Sequence, residues 1–257
     1  MKIFVCIKHV PDTAATIKLT DETHFDDSVK FVINPHDECA LEQALQLRDQ
    51  VGGDSEVVVV SLGNDDVVNT LRHGLAMGAD HAVHVKAEEQ LPDPTVTAAV
   101  LAKAIGQEGP ADIIFTGMLS VDGEGMQTPY RLAATFGIPV STGVLDFSYE
   151  DGFVTVKREI EGGCRQVVEM QAPCVVAVSF GLNQPRYPKM PDIIKARKKD
   201  VQVIEPASLD LGALLPKTER LALELPPEKP QAKILEGSVQ ETTRELVRLL
   251  RDEAQVL

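Results

Sequence analysis

The residues best suited to chemistry lie in one run, Gly117-Met118-Leu119-Ser120-Val121-Asp122-Gly123-Glu124-Gly125-Met126-Gln127-Thr128-Pro129, which follows an apolar stretch ending at Thr116. Three glycines let backbone N–H groups turn toward one point with no Cβ in the way. Thr128 can cap a following helix, and Pro129 suits its first position. A helix N-terminus there offers free N–H donors and the positive end of a dipole, which together attract phosphate. The run is neither a G-x-G-x-x-G fingerprint nor a P-loop, since no Gly-Lys-Ser/Thr follows. Asp122 and Glu124 repel a polyphosphate unless they turn away or bind hydroxyls. A monophosphate such as AMP, or the dinucleotide of a flavin, therefore fits better than ATP-driven chemistry. A Gly-rich strand-to-helix turn with no ligand is the competing reading.

Other reactive side chains assemble into nothing comparable. The histidines show no metal-ligand spacing; His9, His81 and His84 read as structural or solvated, His73 as surface, and His36 draws interest by its location. No Ser-His-Asp or Cys-His arrangement can be built. Glu159 and Glu161 alternate on one strand face and read as solvated. The four cysteines, Cys6, Cys39, Cys164 and Cys174, are scattered with no C-x-x-C pair, the usage of reduced thiols in a cytoplasm.

Such a loop needs elements to hold it. Apolar runs at Ile3–Ile7, Val57–Ser61, Ala82–Val85 and Asp112–Thr116 alternate with helical patterns at Asp37–Gln50, Asp65–Met77, Pro94–Ile105 and Gln127–Phe136. Asn64 is a candidate cap and Gly78 a candidate stop for the second helix. This alternation predicts an α/β fold, a doubly wound and mostly parallel sheet of the adenine-nucleotide-binding type. Ligands of such sheets sit beyond the carboxyl ends of the strands, after Ile7, Ser61 and Thr116 here. Beyond Gly143 the pattern changes to short strands at Leu145–Tyr149, Phe153–Ile160 and Gln166–Met170, separated by Asp151-Gly152 and Gly162-Gly163, an antiparallel meander. Val175–Phe180 returns to a buried strand. We expect one α/β domain over residues 1–200 and, over 201–257, an extended arm ending in an amphipathic helix near Val239–Leu250.

The 257 residues carry a formal net charge of −14, which argues against nucleic acid as a partner. The start, MKIFVCIKHVP, reads as a buried strand, so neither a signal peptide nor membrane insertion is expected. Against the acidic whole, Arg186, Lys189, Lys195, Arg197, Lys198 and Lys199 face only Asp192 between residues 186 and 199, a local basic loop. Met190 stands between prolines there as an adaptable apolar anchor for docking.

The stretch Val156-Lys157-Arg158-Glu159-Ile160-Glu161-Gly162-Gly163, continued by Cys164-Arg165-Gln166-Val167-Val168 and Pro173-Cys174-Val175-Val176-Ala177, resembles the signature of electron transfer flavoprotein beta subunits. Cys6-Ile7-Lys8-His9-Val10-Pro11-Asp12, Asn34-Pro35 and Leu75-Ala76-Met77-Gly78-Ala79-Asp80 are similar to other segments of that family. So is Leu182-Asn183-Gln184-Pro185-Arg186-Tyr187-Pro188-Lys189-Met190-Pro191 with Ile194-Lys195-Ala196, which resembles its partner-recognition loop. The likeness covers about residues 1–200.

The resemblance implies an electron carrier subunit rather than an enzyme. It implies a heterodimer with an alpha subunit, one redox-active FAD shared with that subunit, and a structural AMP in this chain. The donor would be an acyl-CoA dehydrogenase-type flavoenzyme and the acceptor a quinone oxidoreductase. Carried over by position, the AMP contacts are Cys6, Asn34, Pro35, His36, Asp37, Leu62, Gly117, Met118, Leu119, Ser120, Val121, Asp122, Gly123, Glu124, Gly125, Met126, Gln127 and Thr128. The docking residues are Tyr187, Lys189, Met190, Pro191, Ile194 and Lys195, and the arm packs on the alpha subunit. Thr13 and His36 fall at positions near the flavin edge where relatives often carry aromatics, and Arg165 stands where many carry an acid. Two rivals remain at this stage: an electron-bifurcating subunit with a second FAD in place of AMP, which Val121-Asp122-Gly123 fits, and a stand-alone adenine-nucleotide-binding module.

Overall fold

A computed structural model describes residues 1–87, 92–212, 215–227 and 231–257. In chain order the elements are β1 (Lys2–Cys6), β2 (His9–Pro11), β3 (Phe31–Ile33), α1 (Pro35–Val51), β4 (Glu56–Gly63), α2 (Val67–Met77), β5 (His81–Lys86), α3 (Pro94–Glu108) and β6 (Ile113–Gly117). There follow α4 (Thr128–Phe136), β7 (Val140–Glu150), β8 (Phe153–Glu159), β9 (Arg165–Gln171), β10 (Cys174–Val178), α5 (Met190–Ala196), β11 (Gln202–Ile204) and α6 (Val239–Arg248).

A nine-stranded sheet runs in the order β11-β5-β4-β1-β6-β10-β7-β8-β9. Every pairing from β11 to β7 is parallel, and β7, β8 and β9 continue as the expected antiparallel meander. The parallel strands read as unbroken apolar runs because helices cover both faces. On one face Ile3, Val5 and Phe115 meet Leu41, Leu45 and Leu71 of α1 and α2. On the other, Phe4, Val58 and Ile114 meet Leu101, Ile105 and Leu132 of α3 and α4. From β1 the chain winds outward through β4 and β5, then returns to the opposite side of β1 as β6. The strand order therefore reverses between β1 and β6, and a crevice opens at their carboxyl ends.

Several expectations are corrected. Thr128 does not cap α4: it is already the first helical residue, Gln127 occupies the cap position with no side-chain capping bond, and Pro129 is second. A capping side chain must hang from a residue that is not yet helical. Asn64 likewise stands two residues early, its Oδ1 accepting from Asp66 N at 3.2 Å, whereas Gly78 does end α2, donating to Gly74 O. The strand read from Leu145 begins at Val140 and is parallel to β10 before it enters the meander. Gly143, at φ +69°, supplies the left-handed residue where it changes direction. The ribbon of β2 and β3 and the edge strand β11 went unread, since elements of three residues carry no periodicity.

The chain divides into two compact units, Met1–Leu223 and Glu224–Leu257. Residues 201–223, assigned from sequence to the arm, belong with the first unit because β11 pairs with β5 and Thr218 and Leu223 bond back to Asp93 and Glu22. In the second unit α6 opens on a full capping box between Ser238 and Glu241 and buries none of its residues. Among the described residues no helix is long and apolar enough to cross a membrane.

Candidate functional site

The crevice between β1 and β6 is knotted by two side chains from the start of α1. Asp37 Oδ2 accepts from Lys8 N at 2.7 Å, and its Oδ1 accepts from Gly117 N at 2.8 Å. One carboxyl thus satisfies the backbone donors that leave both strand ends. Asn34, fully buried, donates from Nδ2 to Leu119 O at 2.8 Å and accepts at Oδ1 from Val121 N at 3.1 Å. Its amide copies a backbone pairing and pins the first half of the glycine-rich loop. The packing is close: a Cβ on Gly117 would collide with Asp37 Oδ1 and lie 2.7 Å from His36 Cβ. Burial pushes the Asp37 carboxyl up to about 7, against the pull of the two N–H groups toward the carboxylate. Burial, helped by Asp37, likewise pushes the Cys6 thiol up to about 12, so it stays neutral and unreactive as a nucleophile.

The loop's own charge is handled by Lys8. Its Nζ lies 2.7 Å from Asp122 Oδ2 and 2.8 Å from Oδ1, with Ser120 Oγ at 3.4 Å. Asp122, which alone would repel an anion, is thereby neutralised within the site. Glu124 and Met126 adopt left-handed backbone at φ +47° and +52°, and Glu124 is exposed. Such turns cost free energy for residues with a side chain and tend to persist where the surroundings demand them.

Above these residues lies a cavity of about 450 Å³. Its lining includes Cys6, Asp37, Leu62, Gly117, Met118, Leu119, Ser120, Asp122, Gly123, Gly125, Met126, Gln127 and Thr128 from the sequence expectation. Asn34, Pro35, His36, Val121 and Glu124 lie outside the lining: Asn34 and Val121 brace the loop from behind, and His36 meets another group. Its Nδ1 accepts from Phe180 N at 3.0 Å, which leaves the ring proton on Nε2, and burial lowers its pKa. Sequence reasoning missed Lys8, the aromatic wall of His9, Phe25 and Phe31, and the rim formed by Asp93 and Thr218–Arg220. His9 stacks on Phe31 at 4.4 Å between centroids, with its Nδ1 2.6 Å from Thr70 Oγ1. A signal existed for two of these: Lys8 directly follows the first strand, and Asp93-Pro94 is a cap-and-proline helix start.

The basic stretch resolves differently from a solvated loop. α5 is a short helix whose Ala196 is buried, and Tyr187, Lys189, Met190, Pro191, Ile194 and Lys195 are all exposed on and before it. Tyr187 is 90% and Met190 69% accessible, a high exposure for an aromatic and a large apolar side chain within one short segment. Arg186 and Lys199 do not contribute to a free basic surface. Arg186 ion-pairs with buried Glu42 at 2.8 Å, and Lys199 Nζ donates to Ala79 O at 2.8 Å. Arg72 holds the end of α5 through Arg197 O at 2.6 Å. Among the described residues no group of three His, Cys, Asp or Glu is placed to hold a metal ion, and all four cysteines are free.

Comparison with known proteins bears on this arrangement. Residues 23–209 match the family described as "Electron transfer flavoprotein domain". The chain is 34% identical to "Electron transfer flavoprotein subunit beta" of Bacillus subtilis, covering 100% of both chains. It is 37% identical to the protein of that name from Syntrophomonas wolfei, over 89% of this chain and 87% of the other. With the Homo sapiens protein the identity is 34%, over 98% and 97%.

Proposed function

This chain belongs to the electron transfer flavoprotein beta-subunit family, and from that premise we propose that it is the smaller subunit of a heterodimeric electron carrier whose β1/β6 cavity holds a structural AMP. The observation that carries the AMP assignment is the Lys8–Asp122 pair beneath the glycine-rich loop. It removes the acidic obstacle to a phosphate while the start of α4 supplies free N–H donors. A volume of about 450 Å³ supports a mononucleotide over a dinucleotide, since it sits in the lower half of the range for small-molecule sites. Cys6, Asp37, Leu62 and the lining residues from Gly117 to Thr128 surround the nucleotide; Asn34, Pro35 and His36 position them.

In this proposal an alpha subunit completes the heterodimer and contributes most of the site for one FAD. When bound, the flavin supplies the electron-accepting chemistry. This chain's part is to shape one side of it near Thr13 and His36. His36, neutral at physiological pH and fixed as the Nε2–H tautomer by Phe180, offers a hydrogen-bond donor there without a charge. Tyr187, Lys189, Met190, Pro191, Ile194 and Lys195 dock an acyl-CoA dehydrogenase-type donor, the electrons pass on towards a quinone oxidoreductase, and the α6 unit packs on the alpha subunit. Cytoplasmic placement is part of the same proposal.

Nucleotide counting tests it. The chain is co-expressed with its alpha subunit, and the purified complex is denatured and its released nucleotides quantified. One FAD and one AMP per heterodimer is the expected result. Two FAD and no AMP would indicate a bifurcating subunit, and a nucleotide-loaded chain that never pairs would indicate a stand-alone module. Lys8→Met, which leaves Asp122 unneutralised beside the phosphate, is expected to weaken AMP binding about tenfold by isothermal titration. Unchanged affinity would mean that the pair does not face the phosphate.

A further inference from the structure

The rim of the cavity opposite the glycine-rich loop is formed by a segment that lies far away in sequence. Thr218, Glu219 and Arg220 line it, facing Asp93 and the first turn of α3. Asp93 divides its carboxylate between two tasks. Oδ1 accepts from Thr95 N and Val96 N at 2.7 and 3.1 Å, capping α3. Oδ2 accepts from Lys217 N at 3.1 Å, Thr218 N at 2.9 Å and Thr218 Oγ1 at 2.6 Å. The far end of the segment is tied too: Arg220 Nη1 donates to Thr23 O at 2.9 Å and Leu223 N to Glu22 O at 2.7 Å. Lys217, Thr218 and Glu219 are nonetheless exposed, and the segment carries no helix or strand. It is a strap, tied to Asp93 at one end and to the 22–23 loop at the other, with Lys217, Thr218, Glu219, Leu221 and Ala222 exposed.

We propose that residues 217–223 form a retaining strap for the nucleotide: seated on Asp93 at one end and on the 22–23 loop at the other, it closes one side of the cavity over a bound adenine nucleotide and sets its dissociation rate. The inference rests on the assignment of AMP to this cavity. Three donors converge on a single carboxylate oxygen, and hydrogen bonds to an ionised acceptor are about twice as strong as neutral ones. Segments with exposed backbone and few apolar contacts open at low free-energy cost. A strap that opens locally lets the nucleotide in and out without disturbing the Asn34 and Asp37 contacts beneath it.

The carboxylate's division of labour provides a clean variant. Asp93→Asn keeps an oxygen for the α3 cap, where asparagine serves as well as aspartate. It can place an NH₂ group, itself a donor, against the three strap donors. In the full chain paired with its alpha subunit, AMP dissociation is followed by chase with excess unlabelled AMP, and amide hydrogen exchange is measured over residues 215–223. Asp93→Asn is expected to raise the dissociation rate about tenfold and to speed exchange in the strap. Thr218→Val, which loses one donor, should show a smaller change in the same direction. Faster strap exchange with unchanged AMP dissociation overturns the strap alone. An unmodified complex that holds no AMP overturns both the strap and the nucleotide assignment on which it rests.

Discussion

Replacing Arg186 with alanine is expected to destabilise the first unit by about 2 kcal/mol and to loosen the segment proposed to dock a partner. Glu42, on the inward side of α1, keeps a side chain only 5% accessible, and Arg186 reaches it with Nε at 2.8 Å, Nη2 at 3.1 Å and its own backbone N at 3.1 Å. Removing the guanidinium strands a buried carboxylate with Gln46 as its remaining side-chain donor. The magnitude lies below that of a fully buried pair because the arginine is 37% accessible. Urea unfolding of the parent and the variant measures it, and equal midpoints would sink the argument. Replacing both partners with apolar residues of similar size should restore most of the loss, because no charge is then left without a partner.

The same pair predicts a pH dependence. Burial raises the Glu42 carboxyl and the Arg186 hydrogen bonds lower it, with a net fall below its ordinary 4.5. A depressed carboxyl contributes stability that is complete above the ordinary value and is lost as pH falls through the folded one. The gap between parent and Arg186→Ala should therefore be full at neutral pH and shrink in acid. The functional consequence follows from the geometry: Arg186 immediately precedes Tyr187, so the pair orders the exposed Tyr187–Lys195 surface before any partner arrives. Preordering of this kind reduces the entropy lost on docking.

How much of this was legible in the sequence depends on the range of the information. The α/β alternation, the doubly wound sheet and the meander were readable because unbroken apolar strands and amphipathic helices advertise themselves locally. The Gly117–Thr128 loop could be singled out because glycine spacing and a strand-to-helix junction are also local. What escaped were pairings across long separations. Lys8 with Asp122, Glu42 with Arg186 and Asp93 with Thr218 join residues that share no pattern, only a topology. Asp122 illustrates the difference: read alone it is an obstacle to phosphate, and only the fold brings Lys8 across to cancel it. The charge count from Arg186 to Lys199 is local information of the same kind, and only the fold shows that Arg186 is spent on Glu42 and the Lys199 ammonium on Ala79 O. Helix caps at Asn64 and Thr128 failed by one or two residues, where propensity says that a helix starts but not at which peptide.

Gly117→Ala is expected to have the largest effect, a loss of about 4 kcal/mol in stability together with loss of bound AMP. The backbone at Gly117 is not left-handed, so the demand is for space alone. A methyl group there collides with Asp37 Oδ1 and with His36 Cβ, and neither neighbour can yield cheaply. Asp37 is the shared acceptor for Lys8 N and Gly117 N; if it swings aside, two buried N–H groups lose their partner. His36 is held in the first turn of α1 and tied to Phe180 N, so its Cβ moves only if the start of the helix moves. Asn34 Nδ2 also lies 3.1 Å from the added methyl, and through it the strain would reach Leu119 and Val121, releasing the loop proposed to surround the nucleotide. Pairing Gly117→Ala with Asp37→Ala separates the causes. If the collision dominates, the double variant is less destabilised than the sum of the singles, because the second change removes the atom that the first one strikes. Thermal unfolding and AMP content of the co-purified heterodimer read both effects. A Gly117→Ala protein with the parent's melting temperature and one AMP per heterodimer would show that the crevice is looser than its geometry implies, and the β1/β6 junction would no longer account for the proposed nucleotide site.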